Sequence, residues 1–309
     1  REIKRTVEQN VGVPVSVGIG RSKVLAKAAT HIAKKYNKAG GVYSAMGDDR
    51  VEWALRRLPA GKIWGVGRRS MVKFNDMGVR TAWDLRNYSN EKLILKRFTK
   101  VGRMIQDELN GISCFGLEIE SKKKKEIISS RTFGKPVYSL EELIEAVAGY
   151  ASLASEKLRS QSSTCSVVEV SVRTNPFKNV EQYFAVEPYR FLSDTCDTRK
   201  IVKGCVTVLE QMYRPGFEYK KALVKLSGIK NIDEAQLSLF EDSDTVGDLS
   251  LMKAMDRINK RDGGNTVKVA ACGVSGHAWK MKQVLKSPRH LSGWSELPVI
   301  KNYTKLKKS

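Results

Sequence analysis

The sequence predicts a multidomain α+β protein: a strand feeding a helix, an all-α stretch, a βαββαβ unit and a small C-terminal extension. Three observations carry this. Val13, Val15, Val17 and Ile19 alternate with Pro14, Ser16 and Gly18, and a helical period then takes over. Short helical segments punctuated by glycine fill residues 46–118. Beyond residue 126 the two periods interleave, as they do where helices pack on a sheet. A length of 309 residues is enough for two or three such units.

Taken in order, residues 1–10 read as a helix end and 13–19 as a strand with one buried face. Ser22 is placed to cap a helix over 23–35, which residues 37–41 end. A helix over 50–57 breaks at Leu58-Pro-Ala-Gly61, and Ile63-Trp-Gly-Val-Gly67 makes a tight glycine hairpin. The next helix runs to about Met77, with Gly78 in the position that closes it. Further helices are expected at 82–88, 91–97 and 101–110. Ser121 and the four lysines 122–125 make a linker by composition.

The mixed unit opens with a strand at Ile127-Ile128, and Ser139-Leu-Glu-Glu142 forms a capping box for a helix to about 159. Strands at 167–172, 180–186 and 219–229, with a helix at 195–213, complete one sheet carrying two helices on a face. The tail holds an apolar-then-acidic segment, a helix at 249–260, a hairpin about Asp262-Gly-Gly-Asn265 and a basic end.

Charge narrows the function. Lys and Arg total 55 against 33 Asp and Glu, a formal +22 spread along the chain. Such an excess suits a polyanion, with nucleic acid ahead of an anionic membrane surface. No apolar run is long enough to span a bilayer, and no leader peptide is visible. Five cysteines without a CxxC pair, and three histidines away from them, argue against zinc. They read as free thiols in a reducing cytoplasm.

Four constellations could carry function. Lys23, Lys27 and Lys34 fall on one face of their helix, where the spacing alone favours a solvated stripe over a phosphate-contacting face. Gly65 and Gly67 sit between helical segments and before Arg68, Arg69 and Lys73. Paired glycines admit a close backbone approach, and the following helix start offers free N–H groups to an anion. That is the helix-hairpin-helix arrangement, although an ordinary glycine turn also fits; Lys100-Val-Gly-Arg103 is a weaker second candidate.

Arg131 lies among hydroxyls and before a glycine in Ser129-Ser-Arg-Thr-Phe-Gly134, a setting suited to a phosphate. Finally, Gln236, Leu237, Ser238, Leu239 and Phe240 place apolar anchors in a polar stretch, suited to a hydrophobic groove on a partner. Phosphoryl transfer needs clustered carboxylates around Mg²⁺, and the early acids Glu2, Glu8, Asp48, Asp49 and Glu52 form no strand-borne cluster. No P-loop or Ser/His/Asp set is present either.

Together these motifs resemble the Y-family lesion-bypass DNA polymerases of the UmuC type, in the right order along the whole chain. Val15-Ser-Val-Gly-Ile-Gly20 with Lys23, Lys27 and Lys34 is similar to the family's last palm strand and following helix. Trp64-Gly-Val-Gly-Arg68 resembles the thumb hairpin, and Ser130-Arg-Thr-Phe-Gly134 the opening strand of the little finger. Gln236-Leu-Ser-Leu-Phe240 is similar to the bacterial sliding-clamp-binding pentapeptide. Trp279-Lys-Met-Lys282 and Ser287-Pro-Arg289 resemble the C-terminal extension of the UmuC type.

The resemblance implies a palm remnant at 1–45, a thumb at 46–118 and a basic linker at 119–126. It implies a little finger at 127–232, a clamp-binding segment at 233–244 and an extension at 245–309. Lys34 would contact the incoming triphosphate while Lys23 and Lys27 face the DNA. Gly65 and Gly67 would hold the primer backbone and Arg131 the template backbone. The implied function is error-prone bypass synthesis on damaged primer–template DNA in the SOS response. Expected partners are the sliding clamp, a processed UmuD dimer and RecA; Mg²⁺ would serve the intact enzyme. The family's metal-binding aspartate and Asp-Glu strand should precede residue 1, so the chain is expected to bind DNA and clamp without adding nucleotides. A non-catalytic fragment that modulates another polymerase is the alternative, and a basic recombination or scaffold protein a third reading.

Overall fold

The computed structural model describes residues 1–118, 122–234, 244–274, 279–281 and 293–297. The chain forms two compact units, residues 1–121 and 122–309. The clamp-like segment 236–240, and Ser287-Pro-Arg289 farther on, lie outside the described residues.

The first unit begins with α1 (Glu2–Val11), β1 (Val17–Gly20), α2 (Lys23–Lys35) and β2 (Val42–Ala45). β1 and β2 pair in parallel, Val17 opposite Val42. The strand is shorter than the alternation suggests, and Val13 and Ile19 are about half exposed rather than buried. Pro14 offers no ladder donor, and the ladder starts only where Val17 N–H reaches Gly41 O. Gly18 and Gly20 are required here: a Cβ on Gly18 would lie 2.2 Å from Thr30 N of α2.

α3 (Asp48–Arg57), α4 (Arg68–Asp76), α5 (Ala82–Arg86) and α6 (Glu91–Leu109) follow. Gly78 takes φ +77°, the left-handed exit from α4. α6 is the expected pair of helices joined across a kink at Thr99 (φ 62°, ψ −169°). Val24 and Ile32 of α2 share one buried cluster with Leu55, Phe74, Leu85 and Leu109, so strand-helix start and helical run have a common core.

The second unit has β3 (Ile127–Val137), α7 (Leu140–Ser160), β4 (Ser163–Arg173), β5 (Phe184–Thr195), α8 (Thr198–Met212) and β6 (Tyr219–Ser227). The order is βαββαβ. The strands pair antiparallel in the order β3-β6-β4-β5, and the short β7 (Lys230–Asn231) adds to β4. α7 and α8 pack together on one face over Val168, Val170, Val224 and Leu226. Ser139 Oγ accepts from Glu142 N–H, the N-cap half of the capping box.

Two expectations need correcting. The strand set at 180–186 runs from Phe184 to Thr195, because residues 175–182 fold into a turn held by the Gln182 amide on Lys178 and Val180 carbonyls. Asp262-Gly-Gly-Asn265 is no hairpin: α9 (Val246–Asp262) continues to its edge, and Val267 N–H returns to Asn259 Oδ1. The five cysteines carry free thiols, four of them buried, and no described helix is long and apolar enough to cross a membrane.

Candidate nucleic-acid interface

In the first unit, α2 presents Lys27 and Lys34 exposed on one face, while Val24, Leu25, Ala28, Ala29 and Ile32 are buried on the other. Lys23 begins the same stripe, but its ammonium donates to Gly116 O at 2.6 Å. The start of α2 is anchored from α6. Ser22 Oγ caps Leu25 N–H and donates to Glu108 O at 2.5 Å, and Glu108 Oε2 accepts from Val24 N–H. Glu108 Oε1 accepts from Cys114 and Phe115 N–H at 2.7 and 3.0 Å. Burial by itself would raise this carboxyl, but the three backbone donors together outweigh it and hold it below its ordinary value.

The glycine hairpin lies against the same helix. Gly65 has φ +92°, and a Cβ there would meet Ile105 of α6 at 2.9 Å. Gly67 is the N-cap of α4 and provides no side-chain cap, and a Cβ there would meet nothing. The first-turn N–H groups of α4 are therefore left to an outside acceptor, with Arg68 and Arg69 exposed beside them. Lys73, one turn on, is exposed and bonds only weakly to Arg97 O at 3.4 Å. The kink at Thr99 creates a second helix start at the weaker candidate, Lys100-Val-Gly-Arg103. Its Arg103 is engaged by Glu91 at 2.6 Å and Asp107 at 3.1 Å.

In the second unit the open face of the sheet has no covering layer among the described residues. Alternation with buried Ala222, Val224 and Leu226 puts Lys221 and Lys225 of β6 on that face. Their register partners Arg173 and Glu169 on β4, and Arg190 on β5, lie there too. Four cations thus stand against one carboxylate, and Lys225 pairs with Glu169 at 3.0 Å. Sequence reading missed Lys221, Lys225 and Arg190. Their signal was the alternation of lysine with alanine, valine and leucine in Tyr219–Ser227, once register fixes the neighbours.

Arg131 lies elsewhere. It shares the parity of buried Ile127, Ser129 and Phe133, so it leaves the sheet on the helix side at the β3 edge. There it is exposed, with Nη1 on Ser130 O at 2.8 Å. Lys34 and Gly67 belong to the first unit and Arg131 to the second.

α9 is fastened to the helix side of the second unit by ion pairs. Arg159 makes a two-point contact with Asp256 at 2.6 and 2.7 Å and donates to Cys196 O and Thr198 Oγ1. Asp248 bonds Arg199 and the Thr245 hydroxyl; the Thr245 bonds and then Arg199 pull its carboxyl down to about 2. Asp244 accepts from Thr195 Oγ1 and Cys196 N–H.

The resemblance implies divalent-metal chemistry, and the described side chains do not fit such a centre. Among the described residues no three His, Cys, Asp or Glu side chains gather to hold an ion. Glu108 is occupied by backbone N–H groups, and Asp84 by those of Arg80 and Thr81.

Comparison with known proteins identifies the family. Residues 124–239 match the impB/mucB/samB family C-terminal domain, and residues 250–300 match a domain of unknown function, DUF4113. The chain is 38% identical to the protein UmuC of Salmonella typhimurium over 97% of its own length and 72% of that protein. It is 33% identical to MucB of Escherichia coli over 97% of this chain and 70% of that one. DNA polymerase IV of Clostridium acetobutylicum is 24% identical over 86% of this chain and 64% of its own length. Sequence identity at that level, sustained across nearly the whole chain, makes this protein a member of the impB/mucB/samB family, a UmuC-like branch of the Y family.

Proposed function

We propose that this chain is the DNA-holding portion of a translesion DNA polymerase, gripping damaged primer–template by its phosphates rather than its bases. The observation that carries the reading is the uncovered sheet face of the second unit, where Lys221, Lys225, Arg173 and Arg190 outnumber Glu169. A flat lattice of cations on rigid strands suits a backbone and reads no sequence. The uncapped start of α4, with Gly65, Gly67, Arg68 and Arg69, supplies a second grip in the first unit. On this reading residues 1–45 act with the palm, 46–118 as thumb and 127–232 as little finger. Lys34 serves the incoming triphosphate, and Lys23 and Lys27 flank the DNA.

The finer partners rest on family resemblance. Gln236, Leu237, Ser238, Leu239 and Phe240 would dock on the sliding clamp, while a processed UmuD dimer and RecA would complete the SOS assembly. The described carboxylates do not gather, so the chain by itself binds primer–template and adds no nucleotides; incorporation with Mg²⁺ in a primer-extension assay would refute that.

The DNA reading is tested by anisotropy on labelled primer–template over a salt series. Binding should fall steeply with salt, and Lys221→Ala and Arg68→Ala should each flatten the log–log slope by about 1. Losses should be equal on unrelated sequences. A salt-independent affinity, or a loss confined to one sequence, sinks the backbone reading.

A further inference from the structure

The second unit contains a cavity of about 400 Å³ on its helix side, away from the open sheet face. Its wall joins three parts of the chain: Arg131 from β3, Tyr150 from α7, and Asn265, Trp279, Lys280 and Met281 from the C-terminal extension. The extension is built onto the strand here, since Gly134 N–H donates to Trp279 O at 3.3 Å. The indole stands edge-on to the Tyr150 ring, with centroids 5.9 Å apart at 82°. Its N–H reaches Glu145 Oε2 at 3.5 Å, so this carboxylate sits at the indole edge.

Tyr150 is the unusual member. It is 3% exposed, and its hydroxyl has no hydrogen-bond partner among the described residues. Burial pushes the phenol up to about 12, so it stays protonated and able to donate. An orphaned buried hydroxyl is rare enough to ask for an explanation, and a bound ligand would supply one. Arg131 spends one donor on Ser130 O, leaving others of its five for an anion, and Lys280 is exposed beside the cavity. An aromatic wall, a thioether, two cations and an unsatisfied phenol together select a flat, aromatic anion.

We propose that this cavity holds one nucleotide of single-stranded DNA. The base rests on Trp279 and Met281, the phosphate on Arg131 and Lys280, and the Tyr150 hydroxyl meets the ligand's polar edge. The proposal rests on the DNA-holding reading above. It adds to it a site for unpaired template, built jointly by the little-finger unit and the extension that matches DUF4113.

The test uses the whole chain and three probes: a short oligothymidylate, a blunt duplex and a glutamate-rich peptide. Trp279→Ala should weaken oligothymidylate binding by about tenfold, as loss of one base–aromatic stack does, and change duplex affinity less than twofold. Trp279→Phe should restore most of the loss. Tyr150→Phe should weaken oligothymidylate binding severalfold without lowering the melting temperature, because the hydroxyl it removes supports nothing in the fold. Equal losses on both DNA probes, no loss on either, or displacement of the oligothymidylate by the peptide at lower concentration would overturn the site. Failure of the wild-type chain to bind duplex would instead overturn the DNA-holding reading.

Discussion

Glu108 shows how one side chain sets a functional surface from behind. It is fully buried, and its two oxygens hold N–H groups of Val24, Cys114 and Phe115. It thereby fixes the start of α2, the helix carrying Lys27 and Lys34. Glu108→Ala would orphan these donors and should cost about 1.5–3 kcal/mol in a urea titration; a loss below about 0.5 kcal/mol would show the contacts to be idle. Its carboxyl titrates below the ordinary value of about 4.3, so its contribution is complete above that pH. The contribution disappears as pH falls through the depressed folded value, and the wild-type chain should lose stability there more steeply than Glu108→Gln. None of this was legible in the sequence. A glutamate in a polar helical stretch looks solvated until the fold brings Val24, 84 residues away, onto its oxygen. Ser22 as the cap of α2, by contrast, was legible because capping is local.

Elements record where local and distant forces compete. α6 was legible as two helices, and the break falls on Thr99, whose φ of 62° with ψ near 180° is territory normally held by glycine. The strain is held by packing on either side: Phe98 stacks on Phe74 with ring centroids 4.0 Å apart, and Ile105 supports Gly65. Thr99→Gly should therefore stabilise the first unit by about 1 kcal/mol, where glycine within a helix ordinarily costs that much. A destabilised variant would mean that the threonine side chain is needed at the kink. α9 was legible as a helix, but its docking was not, because its partners Arg159, Thr198 and Arg199 sit on other elements. Asp256→Ala leaves Arg159 nearly buried and half its bonds unmade. The cost should be about 2–3 kcal/mol, below the 3–5 of a buried pair because Asp256 is 24% exposed. Hydrogen exchange should quicken in α9 first; uniform exchange across the unit would show that the helix is held by something else.

At the scale of the whole chain, two cores replace one. Ile32, Leu55 and Leu109 belong to the first, Leu143, Val170 and Leu226 to the second, and exposed Lys122–125 lie where the units divide. The order of elements was legible because periods of 2 and 3.6 are local signals, whereas the strand order β3-β6-β4-β5 was not, since pairing is decided across the chain. The basic face followed the pairing, so Lys221 and Lys225 stayed hidden until register set them beside Arg173 and Glu169. Division into two units has a consequence for binding. If each unit grips phosphate independently, the chain joins two weak sites into one tether, and the second contact forms at the effective concentration set by the linker. Brief trypsin treatment should cut first among Lys122–125 and leave two halves that each unfold cooperatively. The intact chain should then bind primer–template about 10²- to 10⁴-fold more tightly than either half, with a salt slope near the sum of theirs. An intact affinity equal to that of the second half alone would assign the DNA contact to the sheet face and leave the α4 start without a role in binding.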